Sequence, residues 1–463
     1  MIDQTTVPEK AIPEKSAIGA ADGTGSSTRE SSISPVPAHD EGAAPAGAAK
    51  EGRSHRESDV DSIPDGGMVA WLQVLGSWVI LVDTWGLVNS FGVFQTHYKS
   101  TMLPSTSSSS ISWIGSLQAS LMMLVGVVSG PLYDMGYFRV LIGTGLFLII
   151  LGQFLLSVCT TYWQVLLAQG IMTGIGMGLT FLPSTTILAQ YFHRKRALVL
   201  GISSTGSPIA GTVIPILFSR LEPRIGFGWT VRTLAFILLA VSVIPLACMR
   251  TRVAPAPRRR RFFDPTAVRD AAFMTHALAA FCAFAVMYVP YFYLQLFAQT
   301  HGLAGPDLSP YVVTMLNAGS IVGRVLPNYL ADRVGSVNVV AACGVAASAL
   351  VLGWFGVRDL AGLAAFAVLY GLFSGGIVSV TPSVLMALTP DPGRVGARIG
   401  MAFSCTGVAI LIGTPIAGAV VGDFSDARWR AVVGFSSGGL LAATALYLIC
   451  RFLLYRSNGK WKA

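Results

Sequence analysis

Charge is scarce in this 463-residue sequence: Asp, Glu, Lys and Arg together make up only 12% of it. A soluble globular protein carries about 25%, and a water-facing surface of this size cannot be built from so few ions. The shortage argues against an ordinary soluble domain. It fits a chain whose outer surface meets lipid, which solvates apolar side chains and rejects ions. No GxxxxGK[ST] phosphate loop occurs, so nothing points to ATP as a power source. No HExxH helix and no hydrolase elbow occur, and no carboxylate or histidine cluster falls within the apolar runs. Those absences argue against an enzyme, a resident metal and a bound cofactor. None of the six cysteines (Cys159, Cys248, Cys282, Cys343, Cys405 and Cys450) forms a CxxC pair. They lie in or beside apolar runs and read as small buried hydrophobes. No N-x-S/T glycosylation acceptor is present.

The first 63 residues contain no Phe, Trp or Tyr. A segment so poor in large apolar groups cannot bury enough surface to offset its ordering entropy, so residues 1–63 are expected to be a disordered tail. It has no apolar h-region and does not read as a cleavable signal peptide. Charge is distributed unevenly. Up to Asp65 the chain holds 12 of its 23 acids and 6 of its 32 bases; the remainder holds 11 acids against 26 bases. A basic balance can mark a nucleic-acid binder. Here the bases fall in short gaps between long apolar runs, which points to membrane orientation instead.

Those runs recur from Met68 onward. A spanning helix needs about 20 residues, and the runs yield twelve predicted spans: 69–94, 111–133, 138–158, 163–190, 197–218, 229–249, 271–298, 309–331, 337–357, 361–388, 396–421 and 431–455. With the N-terminus placed in the cytoplasm, the inner connections and C-terminal end carry 18 Lys and Arg residues and the outer connections six. The positive-inside rule therefore places both termini in the cytoplasm. The expected architecture is an all-α membrane protein of twelve transmembrane helices in two six-helix bundles. Its parts are a cytoplasmic tail 1–63, a bundle 64–249, a central cytoplasmic loop 250–270, a bundle 271–456 and a tail 457–463. The Arg258–Arg261 run reads as a cytoplasmic loop anchor.

The halves repeat one local pattern. After the second span the chain reads Gly130-Pro131-Leu132-Tyr133-Asp134-Met135-Gly136, with Arg139 following. After the eighth it reads Pro327-Asn328-Tyr329-Leu330-Ala331-Asp332-Arg333-Val334-Gly335. Asp134 and Asp332 lie 198 residues apart, close to one six-helix half. Parallel six-helix repeats are the layout of a large class of transporters. An acid at a helix end can pair with a base or a neighbouring helix N-terminus. Asp134, Arg139, Asp332 and Arg333 are therefore candidate gating residues. Gly170, Gly174 and Gly178 recur every four residues and predict a smooth packing face on the fourth span.

Several polar residues fall inside the spans. Arg324 is mid-span, where a cation costs roughly 2.5–3.5 kcal/mol on insertion scales and is tolerated only toward a wet cavity or a partner. Asp83 is the one acid well inside a span, a candidate for proton coupling or for pairing with Arg324. Asn89, Asn317 and Gln95 are candidate cavity residues, with interhelical hydrogen bonds as the alternative. Tyr288, Tyr291 and Tyr293 cluster around Pro290 and read either as an aromatic gate or as an interfacial belt. Arg232, close to a span end, reads as a snorkelling structural residue. His276 is the only histidine inside a predicted span, near its inner end.

The sequence resembles the monocarboxylate-porter branch of the major facilitator superfamily, especially its fungal members, from about Pro64 to Arg456. The resemblance rests on Pro64-Asp65-Gly66-Gly67 and Asn89-Ser90-Phe91-Gly92-Val93-Phe94-Gln95 in the first span. It rests further on Tyr191-Phe192-His193-Arg194-Lys195-Arg196-Ala197 with Gly201 to Pro208 in the fifth, and on Asn317 through Gly323-Arg324 to Asn328 in the eighth. It departs from the better-known members at two places. Val88-Asn89-Ser90 stands where they have a lysine, and Ser320 where they have an aspartate one turn before the arginine. The resemblance implies the major facilitator fold, alternating access and a small organic anion or related metabolite as cargo. Arg324, Asn89, Asn317, Tyr288 and Tyr291 are the candidate substrate contacts. The departures point to a divergent cargo, with export of a secondary metabolite as the first reading. Uptake of a monocarboxylate or vitamin-like nutrient, or a non-transporting solute sensor, are the alternatives. The expected partners are a small-molecule substrate, the lipid bilayer of the plasma membrane, and protons as the candidate coupling ion; nucleic acid is not among them.

Overall fold

A computed structural model of the chain describes residues 65–192, 196–252, 264–305, 308–389, 394–422 and 424–458. The expected tail 1–63, the bases Arg194 and Lys195, the Arg258–Arg261 run and residues 459–463 of the C-terminal tail lie outside the described residues. Every regular element among the described residues is helical. Ten helices there are long and apolar enough to cross a membrane. One of these, Leu198–Cys248, has 51 residues, about 77 Å at 1.5 Å per residue and more than twice a hydrocarbon core. It breaks at Gly226, whose φ of 75° and ψ of 166° lie outside the helical region and suit glycine alone. A further helix, Ser309–Val334, has spanning length but is not among the ten, because Arg324 and Asn317 lower the hydropathy of its middle.

The described chain thus contains twelve rods. They are α1 (Met68–Met102), α2 (Ser108–Asp134), α3 (Phe138–Leu156), α4 (Tyr162–Gln190), α5 (196–225) and α6 (227–248). The second six are α7 (Ala271–Thr300), α8 (Ser309–Val334), α9 (Ser336–Trp354), α10 (Leu360–Ala387), α11 (Val395–Val421) and α12 (Asp426–Asn458). The first rod runs eight residues beyond its expected end at 94, through two π-helical segments, Val82–Gly86 and Tyr98–Met102.

Local chemistry sets the helix ends. Ser107 accepts from the Ser110 amide at 3.0 Å to start α2, and Asp359 accepts from the Gly362 amide at 2.8 Å to start α10. Asp270 accepts from the amides of Ala272 and Phe273 to start α7. The repeated motif places a glycine of positive φ just after α2 and α8, Gly136 at 92° and Gly335 at 97°, a conformation that side-chain-bearing residues rarely adopt. The end of the molecule that holds these two glycines is called the motif end below.

Glycine also permits close helix contact. A Cβ on Gly174 would lie 3.0 Å from the Gln118 carbonyl oxygen of α2, and one on Gly178 2.9 Å from that of Leu121, so the fourth-span glycines form the expected packing face. The pair α8–α10 repeats the pair α2–α4, with Gly319 and Gly323 against the backbone of Val368 and Leu372. Between the halves, α2 packs on α11, α5 on α8, and α1 on α7. If the repeat maps α2 onto α8 and α5 onto α11, the first two contacts are images of each other, the two-fold arrangement that parallel repeats produce.

Candidate functional site

Away from the motif end the halves are sealed. Phe91 packs on Phe292 with ring centroids 4.7 Å apart, and Gly92 sits against the Tyr291 carbonyl with no room for a side chain. Ser109 donates to the Pro415 carbonyl at 2.9 Å, and hydroxyl pairs join Ser112 to Tyr293 and Ser116 to Thr414 across α2, α7 and α11. From mid-helix to the motif end the halves separate around a cavity of about 920 Å³. Its deep wall carries Trp85, Phe181, Phe284, Phe403 and Arg324; its mouth carries Asp134, Gln190, Arg252, Thr389 and Ala397.

Arg324 stands ten residues, about 15 Å, from the motif end of α8. It is 3% exposed, and its Nε has no hydrogen-bond partner. A buried guanidinium with an unused donor on a cavity wall is a site for an anion or a strong acceptor, because leaving that donor unpaired costs free energy. Tyr291 Oη shares a hydrogen bond of 3.2 Å with Ser374 Oγ, and Tyr288 stacks on Trp85 at 5.8 Å and 16°. Both tyrosines are buried inside the protein and do not line the cavity, so they do not form a membrane-interface belt. Tyr288 backs Trp85 through that stack.

The other expected site residues scatter. Asp83 is fully buried on the far side of the π-helical turn from Trp85. Ser242 Oγ of α6 donates to its Oδ2 at 2.9 Å, and Oδ1 has no partner. Among the described residues no ion pair joins Asp83 to Arg324, so that pairing is absent. Asn317 donates to the Val313 carbonyl at 3.0 Å and packs against Gly211 of α5, where a Cβ would overlap its amide. It belongs to the α5–α8 contact and not to the cavity wall. Asn89 is buried with its Nδ2 unpartnered, and it too is absent from the wall. Gln95 points at Ser112 on the sealed side, at 3.4 Å.

The motif residues are not equivalent either. Asp134 lines the cavity mouth and is partly buried. Asp332, Arg333 and Arg139 are exposed, and Arg333 lies over the Tyr329 ring at 4.4 Å. Arg232 donates to Ser157 Oγ at 3.1 Å and lies over Trp229, in keeping with its structural reading. His276 is buried against Tyr447 of α12 and does not line the cavity.

Sequence reasoning overlooked the aromatic wall and one internal signal. Pro183-Ser184 in α4 and Pro382-Ser383 in α10 stand 199 residues apart, within one residue of the Asp134–Asp332 spacing. The cavity is bordered at both places, by Leu182 and Thr185 on one side and Thr381 and Pro382 on the other. A search for repeats beyond the acidic motif would have found it.

The sequence matches the family model described as Major Facilitator Superfamily over residues 67–360 and 310–462. It is 40% identical to the MFS-type transporter dbaD of Emericella nidulans over 83% of this chain and 86% of that protein. It is 34% identical to the Aspyridones efflux protein apdF of the same organism, over 86% of this chain and 81% of that one. It is also 34% identical to the MFS transporter asaE of Aspergillus flavus, over 90% and 94% of the two chains.

Proposed function

Because the chain belongs to the Major Facilitator Superfamily and is a multi-pass membrane transporter of small solutes, we propose that its cargo is a planar organic anion of secondary metabolism, moved out of the cell. The observation that carries this reading is Arg324: a buried guanidinium with a spare donor, on the wall of an aromatic-lined cavity. Aromatic faces hold a flat apolar body by stacking, and the guanidinium supplies the one charged contact that orients it. The similarity to an efflux protein supports the outward direction.

Alternating access follows from the two-bundle arrangement. The bundles 64–249 and 271–456, joined by 250–270, rock about a site near mid-depth, so that the seal at Phe91, Gly92 and Phe292 opens as the mouth closes. Asp134, Arg139, Asp332 and Arg333 latch the motif end when it closes. The surplus of bases at the connections supports a cytoplasmic motif end and cytoplasmic termini in the plasma membrane. The placement of Arg324 supports kinship with the monocarboxylate-porter branch. Uphill movement draws on a proton gradient, with Asp83 as the group that takes up and releases the proton.

The test is counterflow of aromatic organic anions, fluorescein among them, in liposomes holding the purified protein. Saturable counterflow in the wild type that vanishes in Arg324→Ala is the expected result. Equal counterflow in the two removes Arg324 from the site.

A further inference from the structure

We propose that Arg398 is a positioning residue for transport: by holding Asp264 and Asp270 together it joins the end of the inter-bundle connection and the facing ends of α10 and α11 into one block that shapes the cavity mouth. The inference rests on the transporter reading above, but its test needs no cargo.

Arg398 lies one turn into α11 and is only 6% exposed. A cation so enclosed persists only if its charge and donors are matched. Here every branch of the fork is used. Nε donates to Asp264 Oδ2 at 3.1 Å, and Nη1 donates to Asp270 Oδ2 at 2.9 Å and to the Leu388 carbonyl at 3.2 Å. Nη2 reaches Thr266 Oγ1 at 3.5 Å, and the guanidinium lies over the Phe273 ring at 5.3 Å. One side chain thus binds the short helix Pro265–Arg269, the start of α7 and the end of α10.

Both acids are also held by the helix starts they cap. Asp264 caps the short helix, accepting from the Thr266 amide at 3.0 Å, and Asp270 caps α7. Arg394 adds a second tie, donating to Thr266 Oγ1 at 2.8 Å with Asp264 at 3.6 Å. The Thr266 hydroxyl, then Arg398 and Arg394, hold the Asp264 carboxyl below its ordinary range. Moving any one element away strands a buried charge, so the elements move together.

The block touches the cavity directly. Ala397, Ile399 and Gly400, on the other side of the same helical turn, line the mouth with Met386 and Thr389 of the α10 end. The opposite end of the connection is tied to the first bundle instead. The Arg250 amide donates to Gln73 Oε1 at 3.0 Å, Tyr191 Oη donates to the Arg250 carbonyl at 2.7 Å, and the Arg252 amide donates to Gln190 Oε1 at 2.8 Å. The connection is therefore fastened to a different bundle at each end, and Arg398 is the fastening on the second.

The experiment is electron–electron double resonance on detergent-purified full-length chain with its native cysteines replaced. One nitroxide pair sits at Val268→Cys and Val334→Cys, within the proposed block and its bundle. The other sits at Tyr137→Cys and Val334→Cys, across the mouth. All three positions are exposed. A single narrow distance is expected for each pair in the wild type. Arg398→Ala should lose the narrow Val268–Val334 population and add a shorter Tyr137–Val334 population. Arg398→Lys, which keeps the charge but reaches one acid at a time, should restore most of the narrow signal. Distances in Arg398→Ala that superimpose on the wild type overturn the inference. If that variant does not fold, Asp264→Asn with Asp270→Asn is expected to give the same broadening, and unchanged distances there overturn it equally. Because no transport is measured, a failure here is separate from a failure of the cargo reading.

Discussion

Asp83 and Trp85 stand two residues apart in one π-helical turn of α1, yet they face opposite surroundings. The carboxyl is sealed against Ser242 of α6, while the indole forms cavity wall and stacks on Tyr288. An inserted residue in a helix rotates the side chains that follow it, and such bulges recur at functional sites. Any rearrangement of this turn moves the acid and the wall together. On the proposed reading, that link would carry a proton event at the sealed carboxyl to a cargo that never touches it.

Asp83→Asn tests this link. The amide matches the neutral acid in shape and keeps the contact with Ser242, but it cannot lose a proton. Counterflow, which needs no gradient, is expected to persist near the wild-type rate, while flux driven by a pH difference is expected to vanish. Gradient-driven flux that survives in this variant would remove Asp83 from coupling.

Arg324 separates charge from geometry. Arg324→Lys keeps a cation but loses the planar fork, and a hydrogen bond to a charged group is worth about 1.5–3 kcal/mol. A rise in KM of roughly ten- to hundredfold is expected from that loss, with surface expression unchanged. A KM equal to that of the wild type would mean that the fork makes no cargo contact.

Gly323 faces the backbone of Leu372 with no space for a methyl group. Gly323→Ala should push α8 from α10 at a cost of about 1–3 kcal/mol, in line with overpacking elsewhere. A lower melting temperature in detergent is the readout. An unchanged melt would show that the two helices yield freely at this contact.

Asp264 gives a pH signature to the Arg398 block. Its carboxyl is held below the ordinary value of 3.8 by Thr266, Arg398 and Arg394. A group of this kind adds stability that is fully present above the unfolded-state value and is lost as pH falls through the folded one. Thermal stability of the purified protein should therefore drop on acidification below about pH 4, and the drop should be shallower in Asp264→Asn. Identical acid profiles for the two proteins would show that this carboxyl does not titrate with the fold.

The helices and their doubling were legible in the sequence because hydropathy and charge are local properties. Twenty apolar residues must span whatever they pack against, and Asp134 and Asp332 announce the repeat by spacing alone. Even Gly226, which splits one continuous helical run in two, was foreshadowed by the gap left between the fifth and sixth spans. Arg324 was legible for the same reason: a cation in the middle of an apolar run needs a wet neighbour regardless of the fold.

Which polar residues meet at the cavity was decided only by tertiary packing. Asn89 and Asn317 carry the same chemistry as a cavity residue would, but helix rotation turns Asn317 onto Gly211 and keeps both from the wall. Trp85 and Phe403 reach the wall, though nothing in their own runs distinguishes them from lipid-facing aromatics. Rotation about a helix axis is fixed by close contacts such as Gly174 on Gln118 and Gly319 on Val368, which lie far apart in the chain. The clamp of Arg398 on Asp264 and Asp270 has the same origin, since more than 120 residues separate it from either acid in sequence.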